Sequence, residues 1–128
     1  MKNERNFFKC SICGKIVGLI EDGGGALACC GKDMEQLLPN SVDAAQEKHV
    51  PVAERACDGK LFVEVGSVPH PMTEEHHISW IAVVQGQTTQ RVILDKTSQP
   101  SASFCVGDEP LTVYAYCNLH GLWMAELS

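Results

Sequence analysis

The sequence predicts a mainly β protein, in which a small metal-stabilised module precedes an immunoglobulin-like antiparallel β-sandwich of seven strands. Three observations lead there. Four early cysteines fall in two pairs, Cys10-x-x-Cys13 and Cys29-Cys30. From Val50 onward, short apolar runs alternate with Gly, Pro and Asp punctuation. No stretch carries a sustained helical period.

The chain has 128 residues, enough for one small domain plus a miniature one, and its 45% hydrophobic content suffices for a packed core. Met1 to Asn6 opens no apolar signal run, and no stretch approaches the ~18 apolar residues of a membrane span. Seven cysteines in such a chain read as metal ligands or reactive thiols in a reducing cytoplasm rather than as disulfides. Net charge is −6. Residues 1–38 hold five basic and five acidic side chains; residues 39–128 hold five basic and eleven acidic. With no basic patch, nucleic acid is excluded as an expected partner.

Residues 1–38 form the first expected domain. Cys10-x-x-Cys13-Gly14 reads as a metal knuckle whose backbone amides point at sulfur. Lys15 to Glu21 reads as a short strand and Gly23-Gly24-Gly25 as a turn. A unit below about 40 residues needs a metal, disulfide or partner to fold. Four thiolates suit zinc or iron, and by ligand type alone zinc stands slightly ahead. The adjacent Cys29-Cys30 pair is expected to distort the tetrahedron.

Residues 39–128 form the second. Val42 to His49 reads as a helical turn or an ordered loop. Strands are expected at Val50 to Ala56, Lys60 to Val65, Ile78 to Val84, Thr88 to Leu94, Ser103 to Val106, Leu111 to Tyr116 and Leu122 to Leu127. Asp58-Gly59 marks the first hairpin. Trp80 and Trp123 are expected in the core or a site wall, and Cys57 and Cys105 as packed small apolar side chains.

The chemistry-bearing residues gather at strand ends. Cys117-Asn118-Leu119-His120 lies between the last two strands, and His49, His70, His76 and His77 supply the remaining imidazoles. A lone Cys-x-x-His is a weak metal signal. A set of loop imidazoles beside it is a stronger one, because sandwiches build their sites in loops.

Taken together, these residues resemble the desulfoferrodoxin family, the two-iron class of superoxide reductase, over essentially the full chain. The resemblance rests on Cys10-x-x-Cys13 with Cys29-Cys30, Glu47-Lys48-His49-Val50-Pro51, His70-Pro71-Met72, His76 ahead of Trp80, and Cys117-Asn118-x-His120-Gly121. It implies a desulforedoxin-like iron–tetrathiolate domain over 1–38 and a neelaredoxin-like superoxide reductase domain over 39–128. The second iron would have His49, His70, His76 and His120 in a plane, Cys117 as axial ligand and a sixth position open. His77 stands where the family often has an aromatic residue, and spacing alone does not separate it from His76. The resemblance also implies a homodimer and a small electron donor such as rubredoxin.

The ligand chemistry agrees with that resemblance. Five protein ligands are too many for structural zinc, and mixed imidazole and thiolate ligation suits redox iron. One electron and two protons turn superoxide into hydrogen peroxide, and no oxygen is returned. Lys48 is expected to draw the anionic substrate toward the site. Glu47, by the resemblance, closes the sixth position in the ferric state. An electron carrier or metal-stabilised binding module and a dismutase are the competing functions. Iron content and oxygen release distinguish them.

Overall fold

The structure, a computed structural model, describes residues 7–128. Residues 1–6, where no signal run is expected, lie outside the described residues. The chain forms two compact units, 1–38 and 39–128.

In the first unit, β1 (Phe7–Lys9) lies between β2 (Ile16–Gly18) and β5 (Glu35–Gln36), antiparallel to both. A separate hairpin joins β3 (Ala28–Cys29) to β4 (Lys32–Asp33). Its two turn residues, Cys30 and Gly31, have φ of 55° and 74°. Left-handed backbone at both central positions matches the twist of a two-residue hairpin. The expected strand over Lys15 to Glu21 is trimmed to Ile16–Gly18, since beyond Gly18 the chain leaves its pairing with β1.

The second unit pairs a three-stranded with a four-stranded sheet. A single helical turn, α1 (Gln46–His49), leads into β6 (Pro51–Arg55). A tight turn at Cys57–Gly59 follows, then β7 (Lys60–Val65), β8 (Ile78–Gln85), β9 (Thr88–Ile93), β10 (Ser101–Cys105), β11 (Leu111–Cys117) and β12 (Gly121–Leu127). Sheet order is β10-β7-β6 in one layer and β12-β11-β8-β9 in the other, all antiparallel. β10 begins two residues before the sequence suggests. Ser101 and Ala102 pair through backbone with Glu64 and Val63, which hydropathy does not register.

Period-two burial builds the core. Leu61, Val63 and Val65 of β7 face Leu111, Val113, Ala115 and Cys117 of β11, all buried, while Phe62 turns outward. β8 breaks the alternation, because Ile78 and Ile81 both reach the same core cluster. The pairing shifts there: Tyr116 opposes Trp80, yet Cys117 opposes Ile78. Ser79 is therefore the extra residue of a β-bulge, a device that re-aims chain ends beside functional sites. Asn40 fastens the start of the unit to β12, with its amide N–H on the Leu122 carbonyl and its side chain bonded to both backbone groups of Met124.

Gly66 sets the closest approach in this unit. At φ +87°, a Cβ there would meet the carbonyl oxygens of Val68 at 2.4 Å and of Glu47 and Lys48 at 2.8 Å. The β7–β8 loop thus lies directly against the residues preceding His49. Gly86, also left-handed at φ +58°, has no neighbour within 4 Å. Gly86→Ala should cost only the left-handed backbone penalty, about 1–2 kcal/mol. Gly66→Ala should lower the melting temperature at least about twice as far, since three backbone oxygens must also move. Equal melting temperatures for the two variants would contradict this packing.

Candidate metal centres

The first centre comes from a knuckle and a hairpin turn. Gly14 N–H bonds the Cys10 carbonyl at 3.0 Å and Cys10 N–H the Lys15 carbonyl at 2.8 Å, which closes the knuckle. The amides of Ile12 and Cys13 then point at Cys10 Sγ, each at 3.4 Å. Cys29 ends β3 and Cys30 opens the turn, so adjacent residues offer two separate sulfurs, 3.9 Å apart. Cys13 Sγ lies 3.7 Å from Cys29 Sγ, and all four sulfurs lie within 4.8 Å of one another.

Backbone amides, of Cys13 first and Ile12 next, pull the Cys10 thiol down to about 6. The neighbouring sulfurs of Cys13 and Cys10 push Cys29 up to about 12, and Cys13 raises Cys30 as well. Four thiolates so close repel one another, so their joint ionisation needs a cation among them.

The second centre draws on three segments of the second unit. His49 closes α1, and its Nδ1–H donates to the Ala45 carbonyl at 2.7 Å. His70 sits between Pro69 and Pro71, with Nδ1–H on the Pro71 carbonyl at 2.7 Å. Both rings are thereby fixed in the tautomer that leaves Nε2 as a bare lone pair. His76 lies in the turn before β8, gripped by Thr73, whose hydroxyl accepts from the His76 amide and donates to its carbonyl, both at 3.1 Å. Cys117 ends β11, and His120 belongs to the turn into β12.

The four imidazoles close into a square. Neighbouring ring centroids are 4.7 Å apart for His49–His70, 4.6 Å for His70–His76, 5.1 Å for His76–His120 and 4.9 Å for His120–His49. The His49–His76 diagonal is 6.3 Å. Adjacent rings stand edge to face, at 72° to 83°. One ligand atom each from His49, His70, His76 and Cys117 lies within 4.8 Å of the others. His120 joins through its other nitrogen, Nδ1, at 3.2 Å from His49 Nε2 and 3.8 Å from Cys117 Sγ.

A metal fits this donor set. His70 Nε2 and His76 Nε2 are buried with no hydrogen-bond partner among the described residues. An orphaned buried acceptor costs roughly 1–3 kcal/mol, and a metal satisfies both at once. Burial holds His49 and His76 below the ordinary imidazole value and takes His70 to about 4, so these rings stay neutral and ready to ligate. Burial also raises the Cys117 thiol, against the pull of the Leu119 and His120 amides. A thiolate this deep, at 0% exposure, calls for a cation beside it.

His77 points elsewhere. Its Nδ1–H donates to the Thr73 carbonyl at 2.9 Å, and it does not enter the ligand cluster. Glu47 and Lys48 are exposed on α1. The charge of Lys48 acts on both His49 and His76, and Lys48 makes no ion pair among the described residues. Cys57 and Cys105 correct an expectation: both are exposed rather than packed. Cys57 lies in the β6–β7 turn, and Cys105 follows inward-facing Phe104, so alternation turns it out.

Two residues make contacts that sequence reasoning does not specify. Trp123 stacks on His49 at 4.9 Å and 25°, while its Nε1–H bonds the His120 carbonyl at 3.1 Å. The sequence places Trp123 in the core or a site wall, as found, without naming these partners. Asn118 bonds the residues on either side of His76: its Nδ2 donates to the Glu75 carbonyl at 2.9 Å, and its Oδ1 accepts from the His77 amide at 2.8 Å. Its place in the Cys117-Asn118-x-His120-Gly121 motif is its pointer in the sequence.

The desulfoferrodoxin family model matches residues 41–126, and the model of the desulfoferrodoxin N-terminal domain matches residues 2–37. A desulfoferrodoxin of Syntrophotalea carbinolica is 48% identical over 126 residues, covering 98% of this chain and 99% of that protein. The crystal structure of the superoxide reductase from Treponema pallidum superposes with a TM-score of 0.76 at 34% identity, covering 94% of this chain and 97% of that one. A single-iron superoxide reductase from Giardia intestinalis gives a TM-score of 0.55 at 34% identity, over 64% of this chain and 98% of that one. With both family models matched in order along a chain that carries both donor sets, the chain belongs to the desulfoferrodoxin family.

Proposed function

We propose that the chain is a superoxide reductase with two iron ions, one among Cys10, Cys13, Cys29 and Cys30, the other among His49, His70, His76, His120 and Cys117. The square of four imidazoles beside a buried thiol carries this reading. Iron in that square would supply the single electron that, with two protons, turns superoxide into hydrogen peroxide.

The residues of the chain divide the remaining work. Backbone carbonyls of Ala45 and Pro71 hold two rings in the ligating tautomer. Neutral imidazoles add no charge, so only Cys117 offsets that of the metal, and a ferrous site keeps a positive balance toward an anion. Lys48 adds a second positive charge at the site's rim and steers superoxide against the net charge of −6. Glu47, next in the chain, supplies the carboxylate that shields the oxidised site.

A small donor such as rubredoxin returns the electron, and the active form is a homodimer, both on the strength of the family resemblance. Seven unpaired cysteines support a place in the reducing cytoplasm. Among the described residues, no helix is long and apolar enough to cross a membrane.

Metal analysis with an anaerobic superoxide titration tests the reading. Two irons per chain, stoichiometric peroxide and no oxygen are expected. One zinc per chain without a visible spectrum would instead make it a binding module, and evolved oxygen a dismutase. For Lys48→Ile, the association rate with superoxide should fall several-fold at low ionic strength, on the order of tenfold at most, and lose most of its salt dependence. An unchanged rate at low salt would remove Lys48 from substrate capture.

A further inference from the structure

The three ligand segments need a device that holds them in mutual register, and one contact set stands out. Asn118 sits in the β11–β12 turn, between Cys117 and His120. Its side-chain Nδ2–H donates to the Glu75 carbonyl at 2.9 Å and its Oδ1 accepts from the His77 amide at 2.8 Å. Its own backbone N–H donates to the His77 carbonyl at 3.1 Å. Partner types fix the amide's orientation, since a carbonyl only accepts and an amide N–H only donates. Both ends of one carboxamide therefore grip the residues flanking His76.

We infer that Asn118 is the positioning residue that seats His76 against Cys117 and His120, and through it sets how firmly the second centre holds its metal. This rests on the proposed iron site. His76 needs such support more than His49 or His70. Those two rings donate Nδ1–H to neighbouring carbonyls, whereas no carbonyl contact of the His76 ring is seen among the described residues. The ring of His76 is oriented through its backbone, and Thr73 and Asn118 hold that backbone. Thr73 acts within the same turn. Among the described residues, only Asn118 bonds that turn from the segment bearing Cys117 and His120.

A second tie to the same turn serves as the control. Lys96 Nζ lies 2.9 Å from Glu74 Oε2, but both side chains are exposed, and such pairs contribute little. Asn118→Asp keeps the acceptor for His77 and loses the donor to Glu75, at nearly unchanged shape. Asn118→Ala loses both side-chain bonds.

The experiment loads full-length ferrous protein with two irons per chain and follows release of each to a chelator. It also records the ferric electron paramagnetic resonance signal of the second site. Both Asn118 variants should release that iron roughly tenfold faster, as lost outer-shell partners do in other metal sites, and should shift the ferric signal. Lys96→Ala should match the parent protein. In a His76→Ala background, Asn118→Ala should add nothing further, because the effect runs through His76. A lower melting temperature with parental release and an unchanged ferric signal would overturn the inference, as would full additivity with His76→Ala. Absence of any second iron in the parent protein would instead refute the iron site itself.

Discussion

Buried lone pairs in need of a cation are the constraint on which the second unit is built. His70 Nε2 and His76 Nε2 have no partner among the described residues, and Cys117 lies within 4.8 Å of them with a thiol raised by burial. In an ordinary core such groups would be destabilising. In His49 and His70 the ring hydrogen bond goes to the far edge, toward the Ala45 and Pro71 carbonyls, so that Nε2 of each keeps its lone pair. The destabilisation of the metal-free site and the affinity of the loaded one are the same free energy seen from two sides.

Strand ends alone would not bring these groups together. The Gly66–His70 loop is pressed onto the carbonyls of Glu47 and Lys48, and Val68 N–H bonds the Glu47 carbonyl at 2.9 Å, which sets His70 beside His49. The bulge at Ser79 places Ile78 opposite Cys117, so β8 enters the sheet with His76 and His77 just outside it. Trp123 stacks on His49 and bonds the carbonyl of His120, joining the first and last segments from within the core. Each pair of segments is thus tied by a contact of its own. The first centre needs far less: one knuckle and one two-residue turn place four sulfurs, and repulsion among them makes it cation-dependent in its turn.

What could be foreseen in the sequence depended on how local the cause was. The cysteine pairs and their knuckle lie within a few residues of one another, so spacing revealed them. The core strands showed their period-two pattern, as in Leu61, Val63 and Val65. Hydropathy starts β10 two residues late, because Ser101 and Ala102 join the sheet through backbone pairing with Glu64 and Val63. Residue type alone places Cys57 and Cys105 inside, because cysteine is usually buried, whereas turn position and strand parity turn them out. His76 and His77 could not be separated by spacing, since the choice is made by the Thr73 carbonyl, which captures His77, and by Asn118, more than 40 residues away. The square is legible only through the family resemblance, because its four corners come from three segments that meet only in the folded sandwich.

The central claim is that four imidazoles and one thiolate surround a single iron. Anomalous diffraction at the iron edge from crystals of the ferrous protein tests it directly. The account predicts two peaks per chain, the second within bonding distance of His49, His70, His76, His120 and Cys117 Sγ. A second peak out of reach of the Cys117 sulfur, or bound by fewer than four of the imidazoles, would contradict it.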